Sequence, residues 1–185
     1  MSESNVNLSE AQRFLDLLGL GEEFTFQTFH DAGKGEETKR HLARILHGTL
    51  ETCKEELLSL HDQGAGVFVM PNRGDGKGRT GANVVHVRAN FVDLDGAPIE
   101  PIMESGAPPS IVVQSSPGKF HVYWRVTDEP LEHFTPMQEA LIKRFGADPS
   151  VKDLARVLRV PGFLHRKKEP FLVLIIYPAR TGENA

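Results

Sequence analysis

The spacing of two acids at the end of an apolar strand constrains this chain more than any other feature. The stretch 84–96 ends in Asp93 and Asp95, with Leu94 between them. Because alternate side chains of a strand share a face, we predict both carboxylates on one face and Leu94 in the core. Two such carboxylates repel each other unless a cation lies between them, and hard oxygen ligands suit Mg²⁺ or Mn²⁺. Since Asp-Gly is also ordinary turn chemistry, the pair needs support from elsewhere in the chain.

Length and composition predict one globular domain over residues 1–185. Hydrophobic residues make up 39% of the chain and charged residues 25%, which suffices for a buried core. The sequence has no apolar run of membrane-spanning length, and its N-terminus is polar. A single cysteine, Cys53, excludes an internal disulfide framework and a zinc ribbon. We therefore expect a soluble, cytoplasmic protein with no membrane partner.

The charge is distributed unevenly along the chain. The net charge is −4, but residues 1–62 hold 6 Lys/Arg against 12 Asp/Glu, and residues 63–185 hold 15 against 13. The acidic pair therefore lies in the basic part of the chain, a distribution that suits an anionic substrate.

The residue pattern predicts a mostly helical unit over 1–65. Apolar residues at helical spacing predict helices over 8–19, around Leu42 to Leu46, and from Leu50 to Leu58. Only the β-branched and aromatic run 24–29 predicts a strand there.

From residue 66 the pattern changes to strands. We predict strands over 66–70, 84–95, 111–115, 120–126 and 171–177. A helix is predicted from Pro130 to Gly146. The fold class is therefore α+β, with helices beside a largely antiparallel sheet.

A short hairpin provides the second informative stretch, Ser115-Ser116-Pro117-Gly118-Lys119-Phe120-His121. After its turn, Lys119, His121 and Tyr123 are predicted on one face of the strand. A glycine turn with backbone N–H groups, a Lys and a His is suited to hold a triphosphate.

The third stretch, 146–168, combines acids with a dense set of cations. Asp148 and Asp153 precede Arg159, and the turn Pro161-Gly162 brings the following cations close to it. Arginine is the residue that best makes bidentate contacts with phosphate.

These stretches in this order resemble the catalytic domain of the archaeo-eukaryotic primase superfamily, most closely its RepB-like plasmid and phage branch. The acidic pair Asp93 and Asp95 matches the first motif of that superfamily, and the hairpin ending at His121 matches its Ser-x-His motif. The third motif is a further acid, which we assign to Asp153 with Asp148 as the alternative. Three ordered motifs are far more specific than any one of them.

The RepB-like branch adds an Arg-x-Pro-Gly element followed by a basic pair. Arg159 and Gly162 match the element, and Arg166 and Lys167 match the pair. The resemblance implies an RRM-like palm, which we place at 66–177, flanked by a small N-terminal α/β unit over 1–65.

The resemblance also implies a DNA primase, or primase-polymerase, that works by two-metal-ion nucleotidyl transfer in plasmid or phage replication. Two divalent ions, Mg²⁺ or Mn²⁺, would be held by Asp93, Asp95 and Asp153. The triphosphate would be bound by residues of the hairpin and the basic stretch: Ser116, Lys119, His121 and Arg159. Which hairpin serine fills the family role, Ser115 or Ser116, stays open.

The implied partners are single-stranded DNA template, nucleoside triphosphates and replication proteins such as a helicase. Arg166 and Lys167 are assigned to nucleic-acid binding, although the sequence leaves open whether they contact template or nucleotide. The choice between ribonucleotides and deoxynucleotides also stays open.

Two other functions fit part of the pattern. Asp93 and Asp95 match a haloacid-dehalogenase phosphatase, with Asp93 as nucleophile, but that signature normally opens a parallel-sheet domain. The other alternative is a non-catalytic nucleic-acid-binding module on an RRM-like sheet, against which the acids at all three motif positions argue.

Overall fold

The computed structural model describes residues 6–33 and 35–179. The α-helices in these residues are α1 (Leu8–Gly19), α2 (Leu50–Asp62), α3 (Glu100–Met103) and α4 (Leu131–Phe145). The strands are β1 (Phe24–His30), β2 (Arg44–Gly48), β3 (Ala65–Val69), β4 (Arg73–Gly74), β5 (Val84–His86), β6 (Ala89–Leu94), β7 (Ile111–Ser116), β8 (Lys119–Arg125), β9 (Leu158–Arg159), β10 (Leu164–His165), β11 (Phe171–Leu172) and β12 (Leu174–Tyr177).

Two four-stranded sheets organise the described residues. The first sheet has the order β2-β1-β3-β9, and the second sheet has the order β12-β7-β8-β6. Every strand pair in the described part of the chain is antiparallel. The predicted α+β class with a largely antiparallel sheet is therefore confirmed.

Local signals account for the limits of the main helices. The side chain of Asn7 accepts a hydrogen bond from the backbone N–H of Glu10 at the start of α1. Thr49 caps α2 in the same way. Gly146 ends α4 in the left-handed conformation, as the sequence predicts.

Apolar clusters cover both faces of the second sheet at β6, β7 and β8, whereas its edge strand β12 is partly exposed. On one face, Phe91 and Tyr123 pack with Phe14 of α1 and Phe134 of α4. On the other face a second cluster contains Val92, Leu94 and Val122 together with residues of α3 and α4. β6 and β8 are therefore packed between two apolar clusters, and the acidic pair lies at the end of β6.

The helix predicted around Leu42 to Leu46 is wrong, because that segment forms a short 3-10 helix (Arg40–Leu42) followed by β2. Thr28 of β1 donates to the carbonyl of Leu42 and accepts from the amide of Arg44. Pairing with β1 therefore decides the conformation of a segment whose apolar spacing alone suits a helix.

Two predicted strands are each divided in the structure. The predicted strand 84–95 is interrupted between β5 and β6, where buried Arg88 pairs with Glu22 at 2.6 Å and lies 4.3 Å from the ring of Phe24. The predicted strand 171–177 is interrupted at Val173. Between β5 and β6, the ion pair of Arg88 with Glu22 therefore takes the place of continuous strand hydrogen bonding.

The expected boundary at residue 65 falls inside the first sheet. β1 and β2 pair there with β3 and β9, and α1 contacts β12 of the second sheet. One apolar cluster contains residues from both expected parts of the chain. Within the described ranges, no helix is long and apolar enough to cross a bilayer.

Candidate active site

The register between β6 and β8 brings the acidic pair against the hairpin. Asp93 lies directly opposite His121. Asp95, just beyond the strand, forms an ion pair with Lys119. Leu94 is fully buried on the opposite face. The alternation predicted from the sequence therefore places both carboxylates beside the basic turn.

Asp93 is the acid most affected by its surroundings. Its side chain is 25% exposed. Burial raises its pKa to about 6, and the negative charges of Asp95 and Asp148 add to the effect, while Lys119 and Arg156 oppose it. A bound cation would relieve this repulsion between carboxylates.

His121 is buried beside Asp93 and is neutral at pH 7. Its Nε2 lies 3.8 Å from Oδ1 of Asp93, and its Nδ1 has no hydrogen-bond partner among the described residues. Burial lowers the pKa of His121 to about 3, helped by the positive charges of Arg159 and His165. The ring can therefore donate one N–H and accept one hydrogen bond without carrying charge.

The turn of the hairpin depends on Gly118, whose φ of 71° lies in the left-handed region that glycine adopts without strain. Ser116 pairs with Lys119 across this turn. Ser115 is buried, and its carbonyl lies 3.0 Å from Nδ1 of His165. Because a carbonyl only accepts, this contact places the His165 proton on Nδ1.

Arg159 is held in a buried ion pair at the end of the first sheet. Its two Nη atoms donate to the carboxylate of Asp31 at 3.1 and 2.7 Å, and its guanidinium lies 4.7 Å from the Phe68 ring centroid. Burial would raise the pKa of Asp31, but hydrogen bonds and charge from Arg159, with the amide of Arg166, bring it below its ordinary value. The ion pair with Asp31 therefore holds the Arg159 guanidinium in one position at the cleft.

The two cations of the predicted basic pair have different surroundings. Arg166 is half-buried and directed toward α2, where its Nη1 donates to the carbonyl of His61 at 2.6 Å. Its backbone amide donates to Asp31 at 2.7 Å. Lys167 is exposed. Only Lys167 of the two lines the cleft.

The two candidates for the third acid also differ. Asp148 donates its backbone N–H to the carbonyl of Asp93 at 2.9 Å, and its charge raises the pKa of Asp93. Asp153 is exposed and pairs with Arg156 at 2.9 Å. Among residues 6–33 and 35–179, no group of three or more His, Cys, Asp or Glu is placed to hold a metal ion.

A cleft of about 290 Å³ joins most of these residues. Asp148, Asp153 and Arg166 are not among its lining residues. A larger depression of about 730 Å³ is lined by residues 37–41 and contains none of the motif residues. The cleft is lined by Phe68, Asp93, Asp95, Ser115, Ser116, Lys119, His121, Val157, Leu158, Arg159, His165 and Lys167.

Sequence reasoning missed three residues of this site. Asp31 is an isolated acid after a predicted strand and lies 128 residues from Arg159 in the chain, so no local pattern links them. Phe68 lies in the apolar run 66–70, and the sequence pattern there predicts only a buried strand residue. His165 lies inside the basic stretch, which is the one signal that pointed to it.

Comparison with solved structures identifies primases of the same fold. The primase RepB′ is 22% identical with a TM-score of 0.67, over 91% of this chain and 55% of that chain. The AEP domain of the cyanophage S-2L primase-polymerase is 19% identical with a TM-score of 0.68, over 95% and 92%. The catalytic domain of RepB′ in complex with initiator DNA is 21% identical with a TM-score of 0.63, over 91% and 83%.

Sequence comparison assigns the family. Curated protein sequences give no significant match. The family model of the RepB DNA-primase N-terminal domain matches residues 79–182, more than half of the chain. The match includes the acidic pair, the hairpin and the basic stretch, in the order in which the sequence presents them. The chain therefore belongs to the RepB DNA-primase N-terminal domain family.

Proposed function

We propose that this chain is the catalytic domain of a DNA primase, or primase-polymerase, that joins nucleotides on single-stranded DNA without a supplied primer. Family membership supports the activity. The observation that carries the site assignment is the register of β6 and β8, which sets Asp93 opposite His121 and Asp95 beside Lys119. Carboxylates and a basic turn at one cleft suit a metal-bound triphosphate.

The acidic pair fits divalent cations in its donor chemistry. Mg²⁺ is usually bound by one or two carboxylates together with substrate phosphates, so three protein ligands are not required. Asp93 and Asp95 supply the two carboxylates. Burial first, and then the negative charges of Asp95 and Asp148, raise the pKa of Asp93, and a cation would relieve the repulsion between these charges. When bound there, Mg²⁺ or Mn²⁺ lowers the pKa of an attacking 3′-hydroxyl and stabilises leaving pyrophosphate.

The protein groups around the acids bind and orient the triphosphate. Lys119, which pairs with Asp95 in this structure, would bind a phosphate oxygen of the triphosphate. Arg159 presents a guanidinium already ordered by Asp31. His121, neutral at pH 7, donates a hydrogen bond, and Ser116 does the same from the turn.

For the third acid, the contacts favour Asp148 over our sequence assignment of Asp153. The negative charge of Asp148 raises the pKa of Asp93, whereas Asp153 forms an ion pair with Arg156. Asp148→Asn should therefore reduce primer synthesis at least tenfold and lower the pKa of Asp93, measured by NMR titration. Asp153→Asn is the matched control, and a larger loss in that variant would restore Asp153 to the role.

The template is the second substrate. Lys167, exposed at the cleft, is placed to contact a phosphate of DNA or nucleotide, and Arg166 supports the cleft through its hydrogen bond to His61. The RepB′ catalytic domain was solved with initiator DNA, and a single-stranded template is the corresponding partner here. Plasmid or phage replication, with other replication proteins, is the setting we propose.

The direct test is incubation of the chain with single-stranded DNA, labelled nucleoside triphosphates and Mg²⁺ or Mn²⁺, with no primer. We expect labelled oligonucleotides and pyrophosphate only when template and nucleotides are both present. Asp95→Asn should abolish the product. Retained synthesis in that variant would contradict the site assignment, and no product from wild type would contradict the function.

The phosphatase alternative loses its structural basis. A haloacid-dehalogenase site requires a parallel sheet around the nucleophile strand, whereas β6 pairs antiparallel with β8. Template-independent hydrolysis of phosphate monoesters by this chain would nevertheless favour that alternative.

A further inference from the structure

One face of the first sheet points away from the apolar core and carries aromatic and cationic side chains. Its middle is covered, because Thr25 and Gln27 are buried and Arg79 lies against Gln27. Its strands contribute Ile45 and His47 from β2, Thr25, Gln27 and Phe29 from β1, Gly66 and Phe68 from β3, and Arg159 from β9, as the strand registers show. We call this the outer face. Phe29 is 38% exposed and Ile45 is 46% exposed. The alternate residues of the same strands, such as Phe26 and Val67, are buried in the core.

The outer face is continuous with the catalytic cleft. Arg159, Phe68, Gln27 and Ile45 form one cross-strand row, each registered with the next. Phe68 and Arg159 also line the cleft. Gln27, in the middle of this row, is buried beside Arg79. A ligand that leaves the cleft therefore passes over Phe68 and Phe29 and along Arg79.

Two phenyl rings connect the cleft with the exposed part of the face. Phe29 and Phe68 pack edge to face, with centroids 5.7 Å apart. Phe68 is half-buried at the cleft, and Phe29 is the more exposed ring farther along the sheet. Flat exposed rings in such a series are the groups on which successive nucleic-acid bases stack.

A second arginine crosses the outer face from the loop before β5. Arg79 donates Nε to the side chain of Gln27 at 2.8 Å and Nη1 to the carbonyl of Ala155 at 3.1 Å. Its guanidinium lies 6.0 Å from the Phe29 ring centroid. Its Nη2 has no hydrogen-bond partner in the described part of the chain. Arg79 is therefore fixed in position with a donor still available for a phosphate oxygen.

The charge of the outer face is complementary to a polyanion. None of its eight strand residues is acidic. The nearest carboxylate along β1, Asp31, is buried and accepts from Arg159 and Arg166. Two adjacent rings flanked by the guanidinium groups of Arg159 and Arg79 suit a single strand of nucleic acid, which presents stacking bases and anionic phosphates.

From this arrangement we infer that single-stranded template crosses the outer face on its way to the cleft, with bases on Phe68 and Phe29 and a phosphate on Arg79. The inference rests on the proposed function for the identity of the ligand, and it goes beyond that function by adding Phe29, Phe68 and Arg79 to the binding surface. None of these residues belongs to the sequence motifs that indicated a primase.

The test measures binding of a fluorescent oligothymidylate by anisotropy, without nucleotides, at several salt concentrations. Phe29→Ala should weaken binding roughly fivefold or more, because one stacking contact is lost. Phe29→Tyr keeps an aromatic ring and should bind as wild type does. Arg79→Gln should weaken binding and reduce the salt slope by about one unit.

Matched controls come from the second sheet. Tyr177→Ala removes a ring that is 37% exposed on β12, and Arg125→Ala removes an exposed arginine at the far end of β8 from the hairpin turn. Both should leave binding unchanged. Thermal melts and nucleotide affinity of each variant show whether the fold and cleft are intact, so that Phe29→Leu, which preserves apolar volume, can replace a poorly folded Phe29→Ala.

The outcomes separate this inference from the proposed function. Unchanged oligothymidylate affinity in Phe29→Ala and Arg79→Gln would overturn the outer-face path, even if wild type makes primers. Loss of binding in both variants would support the path, even if wild type makes none. A wild-type dimer that becomes monomeric in Phe29→Ala would identify the face as a contact between copies and would also overturn the inference.

Discussion

At the scale of single residues, the raised pKa of Asp93 links the acidic pair to the stability of the protein. This pKa of about 6 exceeds the ordinary 3.8 because burial and the charges of Asp95 and Asp148 disfavour ionisation. The folded state therefore holds a proton that the unfolded state releases between these values. The contribution of this bound proton to the free energy of unfolding is fully present below about pH 4 and is lost as the pH rises through 6.

Asp93→Asn should abolish primer synthesis and stabilise the metal-free protein. The amide removes the cost of ionising a buried acid close to two other carboxylates. The free energy of unfolding should therefore rise by roughly 1–3 kcal/mol above pH 6 and less at lower pH. Chemical denaturation in chelator at two pH values measures this. Asp128→Asn, at an exposed acid in the loop before α4, is the control. Destabilisation by Asp93→Asn would show that the carboxylate has a structural role.

His121 should contribute to nucleotide affinity as a neutral donor. Loss of a hydrogen bond to a charged group is worth about 1.5–3 kcal/mol, so His121→Ala should weaken nucleotide binding roughly tenfold or more. Because the pKa of His121 is about 3, this contribution should be constant across neutral pH. Calorimetry with a nucleoside triphosphate and metal measures it.

The control for His121 is His86→Ala, which removes an exposed histidine of β5. Template affinity, followed by anisotropy at two salt concentrations, should be nearly unchanged in His121→Ala. Loss of template binding with nucleotide affinity retained would assign the hairpin to DNA instead.

At the scale of elements, the end of β1 holds β9 in place through Asp31 and Arg159. Breaking a buried pair by removing one partner typically costs about 3–5 kcal/mol, so Asp31→Asn should lower stability at pH 7 by that amount. The lowered pKa of Asp31 means that its contribution is present above about pH 4 and is lost at more acidic pH. The difference in the free energy of unfolding between Asp31→Asn and wild type should therefore decrease as the pH falls. Denaturation at several pH values measures this difference.

A double variant distinguishes packing from positioning at this pair. Asp31→Leu with Arg159→Met replaces the charges with apolar groups and should recover part of the stability without recovering nucleotide affinity. Glu22→Gln, which breaks the pair with Arg88, is the control and should leave nucleotide affinity intact. Full affinity in the Asp31 and Arg159 double variant would show that Arg159 does not bind the triphosphate.

At the scale of the whole molecule, the N-terminal residues complete the core beneath the catalytic strands. Phe14 of α1 contacts Tyr123 with ring centroids 5.4 Å apart. β1 and β3 supply the sheet to which β9 belongs. The family model begins only at residue 79, so it describes the motifs without all of the core that supports them.

A fragment of residues 79–185 should therefore fail to fold cooperatively. Phe14→Ala in the whole chain should lower stability by about 3–5 kcal/mol, as expected for a fully buried aromatic residue. Circular dichroism melts of the fragment, the variant and the wild type test both statements. A cooperative transition in the fragment would show that α1 and the first sheet are dispensable for folding.

The sequence predicted those parts of the fold that depend on local order. Asp93, Leu94 and Asp95 alternate because a strand has a period of two, and the hairpin follows from Gly118 and its neighbours. The α4 helix was predictable in the same way, since its start and its stop at Gly146 lie in the chain itself. The helix predicted near Leu42 failed because its strand conformation depends on pairing with β1.

By itself, the sequence determined the family motifs, the α+β class and the faces of the strands at the acidic pair, since these depend on residue types at short separations. Only the tertiary structure decided which distant residues meet. Asp31 joins Arg159, Asp148 approaches Asp93, Arg166 turns toward His61, and the rings of the outer face meet the cleft. Such contacts are set by sheet order and core packing, which bring together groups too far apart in the chain for any local pattern to relate them.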